Sequence, residues 1–235
     1  MARAVPPDRF DALLRAATTV FLRLGYRRTQ MADVAEELGV AKGTLYLYVE
    51  SKEALFDQAL RHADRAAALP LPRALPVPTP RAGSTLRALR ARIARDARLP
   101  ALTAAAARRR ARDPRAELGA IARELFRLLA AHRVAIKLLD RCAPDFPELA
   151  RLWSSDGRGG VVALLERYLR VRSASGQLAP LANATLSARI TLEIAAQWAV
   201  HRHWDPMPDP RFLDEALVEN GVVEFITRAL HGDLP

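Results

Sequence analysis

Residues 39–55 read GVAKGTLYLYVESKEAL, and the first half of this stretch fits one short helix. Successive residues of a helix are about 100° apart, which places Ala41, Leu45 and Val49 on the side that faces the core. Lys42, Gly43 and Tyr46 then lie on the outer side. A lysine and a tyrosine near a helix start, with a glycine that lets a backbone come close, suit insertion into the major groove of DNA. We therefore predict that this corner contacts a duplex.

Two helices are predicted in front of this corner. Pro6-Pro7-Asp8 would start the first and Gly25 would end it, and Thr29 is placed to cap the second, which Gly39 would stop. The apolar stripe of the first helix runs through Phe10, Leu13, Leu14, Ala17, Phe21 and Leu24. Two short helices joined by a tight glycine-containing turn, behind a longer helix, make a helix-turn-helix.

Donors for DNA phosphates surround the predicted insertion. Thr29 lies at the start of the second helix, Tyr48 at the end of the third, and Lys52 in the first turn of a fourth helix that Ser51 would cap. Helix N-termini add backbone amides and positive dipole ends. Leu47 would point outward, where it either touches a thymine methyl group or packs on the first helix.

Composition limits the classes of protein that are possible. The longest apolar runs fall short of the roughly 18–20 residues that a membrane span needs, and the N-terminus lacks the apolar region of a secretory signal. A single cysteine, Cys142, excludes an internal disulfide. The net charge of +10 lies wholly outside residues 1–60, where eight basic residues balance eight acidic ones. We expect a cytoplasmic protein with no membrane association.

The rest of the chain predicts further helices and no strand, so the fold class is all-α. The fourth helix would run through about residue 69, and the five prolines of residues 70–80 would form a loop or an extended linker. Asp113-Pro114 is a strong helix start. The later helices are predicted at about 84–98, 101–111, 114–142, 147–153, 157–174, 185–204 and 210–231.

Residues 8–60 resemble the DNA-binding domain of the tetracycline-repressor (TetR) family. The resemblance is carried by Phe21, Gly25, Thr29, Val34, Ala35, Leu38, Gly39, Val40, Lys42, Gly43, Thr44, Leu45, Tyr46, Tyr48, Val49, Ser51, Lys52, Glu53 and Leu55. It implies that the DNA contacts are made by Thr29, Lys42, Gly43, Thr44, Tyr46, Tyr48 and Lys52. Three residues depart from the family pattern: Gln30 and Ala41 replace hydroxyl residues that contact phosphate or cap the third helix, and Val49 replaces a phenylalanine.

The same resemblance implies that residues 61–235 form a dimerisation and ligand-binding domain. Two amphipathic helices could give a four-helix bundle across a two-fold axis, with an interface formed by Leu186, Ile190, Ile194, Trp198, Leu217, Gly221 and Phe225. The alternative is that both stripes face the core of one chain. The candidate ligand-binding residues are Phe126, Leu129, His132, Phe146, Trp153 and Tyr168.

Other classes of function have weaker support. His201 and His203 would point about 200° apart on a helix, so they cannot share a metal unless the helix has ended. Sequence motifs of hydrolases, nucleotide-binding enzymes and dinucleotide-binding enzymes are missing. We predict a protein without catalytic residues, cofactor or metal. A TetR-like helical adaptor or an enzyme, in either case without DNA binding, is the alternative.

The sequence thus predicts a ligand-responsive transcriptional regulator. It would bind a palindromic operator in double-stranded DNA as a homodimer, more as a repressor than as an activator, and a small-molecule effector would release it.

Overall fold

The structure of the protein is a computed structural model that describes residues 7–65 and 71–232. These residues contain twelve α-helices, short 3-10 and π-helical segments, and no strand beyond one isolated parallel bridge between Val49 and Val77. The prediction of an all-α fold is confirmed. The helices are α1 (Pro7–Leu24), α2 (Met31–Leu38), α3 (Lys42–Leu45), α4 (Lys52–His62), α5 (Ser84–Asp96), α6 (Pro100–Ala107), α7 (Pro114–Ala131), α8 (Arg133–Cys142), α9 (Pro147–Leu152), α10 (Gly160–Ala174), α11 (Ala184–Ala199) and α12 (Glu215–His231).

The chain divides into two compact units. Unit 1 takes the described residues up to Arg92 together with Val134–Leu152, and unit 2 takes Ile93–Arg133 and the described residues from Trp153 onward. The division differs from the predicted boundary between 8–60 and 61–235, because residues 134–152 pack with the N-terminal helices. Those two predicted domains stay a prediction.

The helix ends of unit 1 follow the expected cap chemistry with one correction. Gly25 (φ 78°) follows α1 and Gly39 (φ 71°) ends α2, both in the left-handed region that glycine enters without strain. The N-cap of α2 is Gln30 rather than Thr29, and its N–H donates to the carboxylate of Asp33 (2.7 Å). Thr29 precedes the cap position by one residue, and its hydroxyl is directed back to the carbonyl of Gly25, to which it donates (2.6 Å).

Asp64 explains why the helix predicted at 114–142 is in fact two helices. Its carboxylate accepts from the N–H groups of Val134 and Ala135 (2.9 and 3.1 Å), so it satisfies the first turn of α8. The chain turns at His132, whose backbone lies outside the helical region. The predicted fourth helix is also shorter than expected, since α4 ends at His62; residues 66–70 lie outside the described part of the chain, as does Pro6.

Four aromatic rings form one cluster in unit 1. Phe21 and Phe56 meet edge to face at 5.1 Å, and Tyr26 lies 4.9 Å from Phe56 and 4.4 Å from Phe146. Aromatic pairs at these separations stabilise beyond the area they bury. The rings therefore join α1, the loop after it, α4 and the start of α9.

In unit 2 the predicted helix bounds are correct at some ends and differ at others. Asp113 caps α7 and accepts from the N–H of Ala116, with Pro114 at the first position as expected. The helix predicted at 185–204 ends at Ala199 and continues as a 3-10 turn, and the one predicted at 210–231 begins only at Glu215, after Asp214 as its N-cap. A π-helical segment, Trp153–Gly159, precedes α10.

None of the helices in the described ranges combines the length and the apolarity that crossing a membrane requires.

Candidate functional site

The outer side of the α2–α3 corner carries the predicted DNA-reading residues. Lys42, Gly43 and Tyr46 are exposed, and no heavy atom lies within 4 Å of a Cβ placed on Gly43. On the other side Leu45 and Val49 are fully buried. The three outward residues are therefore accessible together on a corner whose inner face is core.

The three residues that depart from the TetR family pattern, Gln30, Ala41 and Val49, have different roles in the structure. Ala41 is exposed rather than turned to the core, and it is the N-cap of α3 without a side-chain hydrogen bond. Gln30 serves as the N-cap of α2. Val49 is an ordinary core residue. Leu47 is 59% exposed, so α1 does not cover it.

Three other members of the predicted DNA-contact set have roles inside unit 1. Thr29 and Tyr48 are 1% and 3% exposed, so their side chains lie in the core. The Lys52 ammonium donates to the carbonyls of Tyr26 (3.1 Å) and Thr29 (2.9 Å) and lies 4.4 Å from the centre of the Tyr26 ring. An ammonium has three donors, so the third can still bind a phosphate oxygen. Thr44 is partly exposed beside Gly43.

The loop between α1 and α2 is also held by residues far along the sequence. The backbone N–H of Arg27 donates to the Asp145 carboxylate (2.8 Å), and the Arg141 guanidinium donates to the carbonyls of Leu22 and Arg23 (3.3 and 3.2 Å). A cation at a helix C-terminus satisfies carbonyls that have no partner in the helix and suits the dipole. Neither contact has a local signal in the sequence.

Cys142 is a core residue of unit 1. Its thiol donates to the carbonyl of Phe21 (3.9 Å), and burial raises its pKa to about 12. Because the thiolate is the reactive form, this cysteine is inert near neutral pH.

The predicted dimer residues form an exposed apolar face on α11 and α12. Leu186, Ile190, Leu217 and Phe225 are 48–57% exposed, and Gly221 is exposed between the last two. A groove of about 540 Å³ between the helices is lined by Ile194, Trp198, Phe212, Leu217, Val218, Gly221, Val222 and Phe225. The alternative that these stripes face the core of unit 2 does not fit this exposure.

The predicted ligand-binding residues are divided between the units. In unit 2, Phe126, Leu129 and Tyr168 are buried, and His132 and Trp153 are half-buried. In unit 1, Phe146 lines a groove of about 620 Å³, together with Tyr26, Glu53, Phe56, Pro80, Arg81, Ala82, Gly83, Thr85, Leu86, Pro147, Glu148, Leu149 and Arg151.

Arg172 is a buried charge of unit 2 that sequence reasoning missed. Its guanidinium donates to the Glu117 carboxylate (2.7 Å) and to the carbonyls of Arg108 (2.8 Å) and Ala105 (3.0 Å), and it lies 5.2 Å from the Tyr168 ring. It joins α10 to the end of α6 and to α7. One signal existed, because Leu165, Tyr168, Leu169 and Arg172 share the apolar stripe of α10.

His203, which follows α11, lies among paired charges in unit 2. An Arg133 N–H contacts Nε2 of His203 (2.7 Å), and Glu215 pairs with Arg133 (2.6 Å) and with Arg202. No group of three His, Cys, Asp or Glu side chains in the described ranges could hold a metal ion. The pKa of His203 is lowered, first by burial and then by Arg133 and Arg202, while Glu215 acts in the opposite direction.

We expect the thermal stability to fall as the pH drops from about 7.5 to about 5.5. Because the folded-state pKa of His203 lies below its ordinary value of about 6.5, the unfolded chain binds more protons over this range. His203→Gln, whose amide oxygen can still accept from Arg133, should make the fall shallower in thermal unfolding at each pH. The pKa of His62 is also lowered, mainly by burial. The pH profile of His62→Gln measures how much His62 contributes to the fall in stability. Identical pH profiles for the wild type and His203→Gln would contradict the role of His203.

Comparison with known proteins agrees with this geometry. Residues 13–59 match the family model of bacterial regulatory proteins, tetR family. The HTH-type transcriptional regulator YfiR of Bacillus subtilis is 43% identical over 63 residues, which are 23% of this chain and 31% of that one. The chain thus spans about a third of the length of this curated relative.

Two solved structures are similar over nearly the whole chain. The ketosteroid regulator KstR2 of Mycobacterium tuberculosis has a TM-score of 0.57 and 17% identity, with 98% of this chain and 99% of that chain covered. The structure of AibR in complex with isovaleryl coenzyme A and operator DNA has a TM-score of 0.53 and 18% identity, with 93% and 98% covered. At these identities the likeness concerns the fold alone.

The corner at residues 31–49 is thus a helix-turn-helix within an all-α protein. Residues 13–59 of this protein are similar to the DNA-binding domain of the TetR family of bacterial regulatory proteins.

Proposed function

We propose that this protein is a homodimeric transcriptional regulator that binds a palindromic operator in double-stranded DNA, represses transcription and is released by a small-molecule effector. The observation that carries the proposal is the accessible group Lys42, Gly43 and Tyr46 on a corner whose inner residues, Leu45 and Val49, are buried. A recognition helix enters the major groove with its N-terminal residues on the base edges.

The predicted contact set divides into two roles. Lys42, Gly43, Thr44 and Tyr46 approach the duplex, and the free donor of Lys52 binds a phosphate. Thr29 and Tyr48, whose side chains are buried, set the positions of α2 and α3 instead. Leu47, which is exposed beside Tyr46, contacts a thymine methyl group.

The charge of the N-terminal region supports a dimeric reader. Residues 1–60 are neutral, with eight basic and eight acidic residues, so a single helix-turn-helix gains little from the phosphate charge that dominates nonspecific affinity. Two linked half-site contacts would supply the missing affinity, because the second binding event becomes intramolecular. The exposed apolar face of α11 and α12 is the surface that we assign to the homodimer.

The effector is a small, mostly apolar molecule. We keep Phe126, Leu129, His132, Trp153 and Tyr168 as candidate contacts within unit 2, and Phe146, which faces a groove of unit 1, as a separate candidate. Release from DNA requires that the effector bind one conformation of the dimer more tightly than the other. Since AibR binds isovaleryl coenzyme A, short acyl coenzyme A thioesters are the first probes, with the acyl group as the small apolar part, and the free acids are tested beside them by their effect on operator affinity.

A selection from a random duplex library with the full-length protein tests the DNA-reading corner. We expect a palindrome to emerge, and Tyr46→Ala and Lys42→Ala to weaken its binding, each by about 1–3 kcal/mol per half-site if the lost contact is to a base. If Lys42 binds phosphate instead, its loss from both half-sites should lower the salt slope by about two. The measurement is fluorescence anisotropy at several salt concentrations.

Arg98→Ala provides the matched control for that experiment. It removes one exposed cation from the loop before α6 and leaves the corner intact. The outcome that contradicts the proposal is a wild-type protein that selects no duplex, or corner variants that bind like Arg98→Ala. Either result would favour the helical adaptor without DNA binding.

A further inference from the structure

The DNA-reading helix α3 lacks the means to hold its own position. It has four residues, Lys42–Leu45, and its N-cap Ala41 makes no side-chain hydrogen bond. Isolated helices shorter than about 12–15 residues are marginal in water, so a single turn depends on its surroundings. Buried Leu45 and Val49 support it from the core side. A second support comes from the chain that follows α4.

Residues 76–80, Pro-Val-Pro-Thr-Pro, lie against the turn that connects α3 with α4. The N–H of Val77 donates to the carbonyl of Tyr48 (2.8 Å), and the N–H of Glu50 donates to the carbonyl of Val77 (3.0 Å). These two bonds form the isolated parallel bridge between Val49 and Val77. We name residues 76–80 the proline strap.

The strap continues along the turn to the start of α4. The N–H of Thr79 donates to the Glu50 carboxylate (2.8 Å), and its hydroxyl donates to the Ser51 hydroxyl oxygen (2.8 Å). Ser51 also accepts from the N–H of Ala54 as the N-cap of α4. Tyr48, Glu50 and Ser51 are thus each hydrogen-bonded to the strap.

The alternation of the strap sequence matches this bonding. Proline has no N–H, so Val77 and Thr79 carry the only backbone donors of residues 76–80. Both donors bind the α3–α4 turn. The prolines on either side restrict the strap to extended conformations before it docks, which lowers the entropy lost on docking. The corner residues Lys42, Gly43 and Tyr46 stay exposed beside it.

We infer that the proline strap is a positioning element for DNA reading: it fixes the turn after α3 and so the angle at which the helix enters the groove. This inference rests on the proposed function. Val77 and Thr79 are positioning residues, since they act through the backbone of residues 48–51 and not through contact with DNA.

Amide hydrogen exchange of the full-length protein without DNA tests the strap directly. Val77→Pro removes the donor to Tyr48, whereas Val77→Ile keeps it and is the matched control. We expect the amides of Leu47 to Glu50 to exchange at least about tenfold faster in Val77→Pro, and amides of α10 to α12 to be unchanged. Val77→Ile should exchange like the wild type.

Operator binding then tests the consequence for function. On the selected palindrome we expect Val77→Pro to raise the dissociation constant about tenfold, equivalent to about 1.4 kcal/mol, and Val77→Ile to restore wild-type affinity. Unchanged exchange at Glu50 would overturn the inference, as would faster exchange with unchanged affinity. If the wild type selects no duplex, the proposed function fails, while the exchange data still show whether the strap holds the turn.

A second variant covers the case in which Val77→Pro does not fold. Pro76→Ala/Pro78→Ala retains both donors but frees the undocked strap from its extended form. We expect faster exchange at Glu50 and weaker operator binding in the folded protein. Wild-type values for both would overturn the inference.

Discussion

Replacing Arg172 by alanine is expected to lower the free energy of unfolding by about 3–5 kcal/mol, the range seen when one partner of a buried ion pair is removed. The Arg172 side chain is fully buried in unit 2, and three acceptors on two other helices depend on it: the Glu117 carboxylate and the carbonyls of Ala105 and Arg108. Its loss would remove the Arg172 donor from the Arg108 carbonyl, leave the Ala105 carbonyl with its bond from the N–H of Arg108 (3.1 Å), and open a cavity beside Tyr168.

Two further variants separate charge from shape at this site. Arg172→Lys keeps the charge, but an ammonium cannot reproduce the planar fork that serves three acceptors, so we expect an intermediate loss. Glu117→Gln removes the negative partner and leaves the guanidinium as a buried charge without its counterion, so its effect should approach that of Arg172→Ala.

Chemical denaturation followed by circular dichroism, at one fixed protein concentration, measures these differences. Arg170→Ala is the matched control, because it removes an exposed arginine two residues away on the same helix, where it pairs with Glu166. We expect its midpoint to equal that of the wild type. A loss below about 1 kcal/mol for Arg172→Ala would show that this network is not a stabilising element.

Local signals in the sequence were enough for most helix starts and for the corner. Glycines at 25 and 39, Ser51, and Asp113 followed by proline act within a few residues, and each works as predicted. The exposure of Lys42, Gly43 and Tyr46 follows from the period of one helix, so it too could be read from spacing.

Features that depend on distant residues could not be predicted in this way. The helix expected at 114–142 is interrupted where Asp64, about 70 positions earlier, caps a new start. The Lys52 ammonium donates to the carbonyl of Thr29, 23 positions earlier, which periodicity cannot show. The position of Arg172 on the apolar stripe of α10 indicated burial, but its partners, Glu117 and the carbonyls of Ala105 and Arg108, are more than 50 positions earlier. Prolines at 76, 78 and 80 indicated a linker. That this segment packs against the α3–α4 turn depends on the tertiary structure and could not be predicted from the sequence.

Replacing Phe225 by aspartate is expected to convert a homodimer into a monomer. Phe225 is 57% exposed on the apolar face of α11 and α12, and it lines the groove of about 540 Å³ between them. A two-fold interface uses the same patch twice, so one substitution brings two carboxylates into it. Burying charges without partners costs several kcal/mol, so the dissociation constant of the dimer should rise at least about a thousandfold.

Sedimentation velocity over a range of protein concentrations measures this change. Met207→Asp is the matched control, because it also places a carboxylate at an exposed apolar residue of unit 2, but in the loop before α12. We expect it to remain dimeric, with a melting temperature close to that of the wild type. A wild-type protein that stays monomeric at micromolar concentration, or a dimeric Phe225→Asp, would remove the assigned interface.

Loss of the proposed dimer should also lower the affinity for the palindrome more than any single substitution at the corner does. A monomer contacts one half-site, and its neutral N-terminal region has little nonspecific attraction to compensate. Lys42→Ala removes one contact from each half-site, whereas Phe225→Asp removes the linkage that makes the second contact intramolecular. Anisotropy titrations should therefore rank Phe225→Asp below Lys42→Ala in affinity, and on an isolated half-site Phe225→Asp should bind as the wild type does.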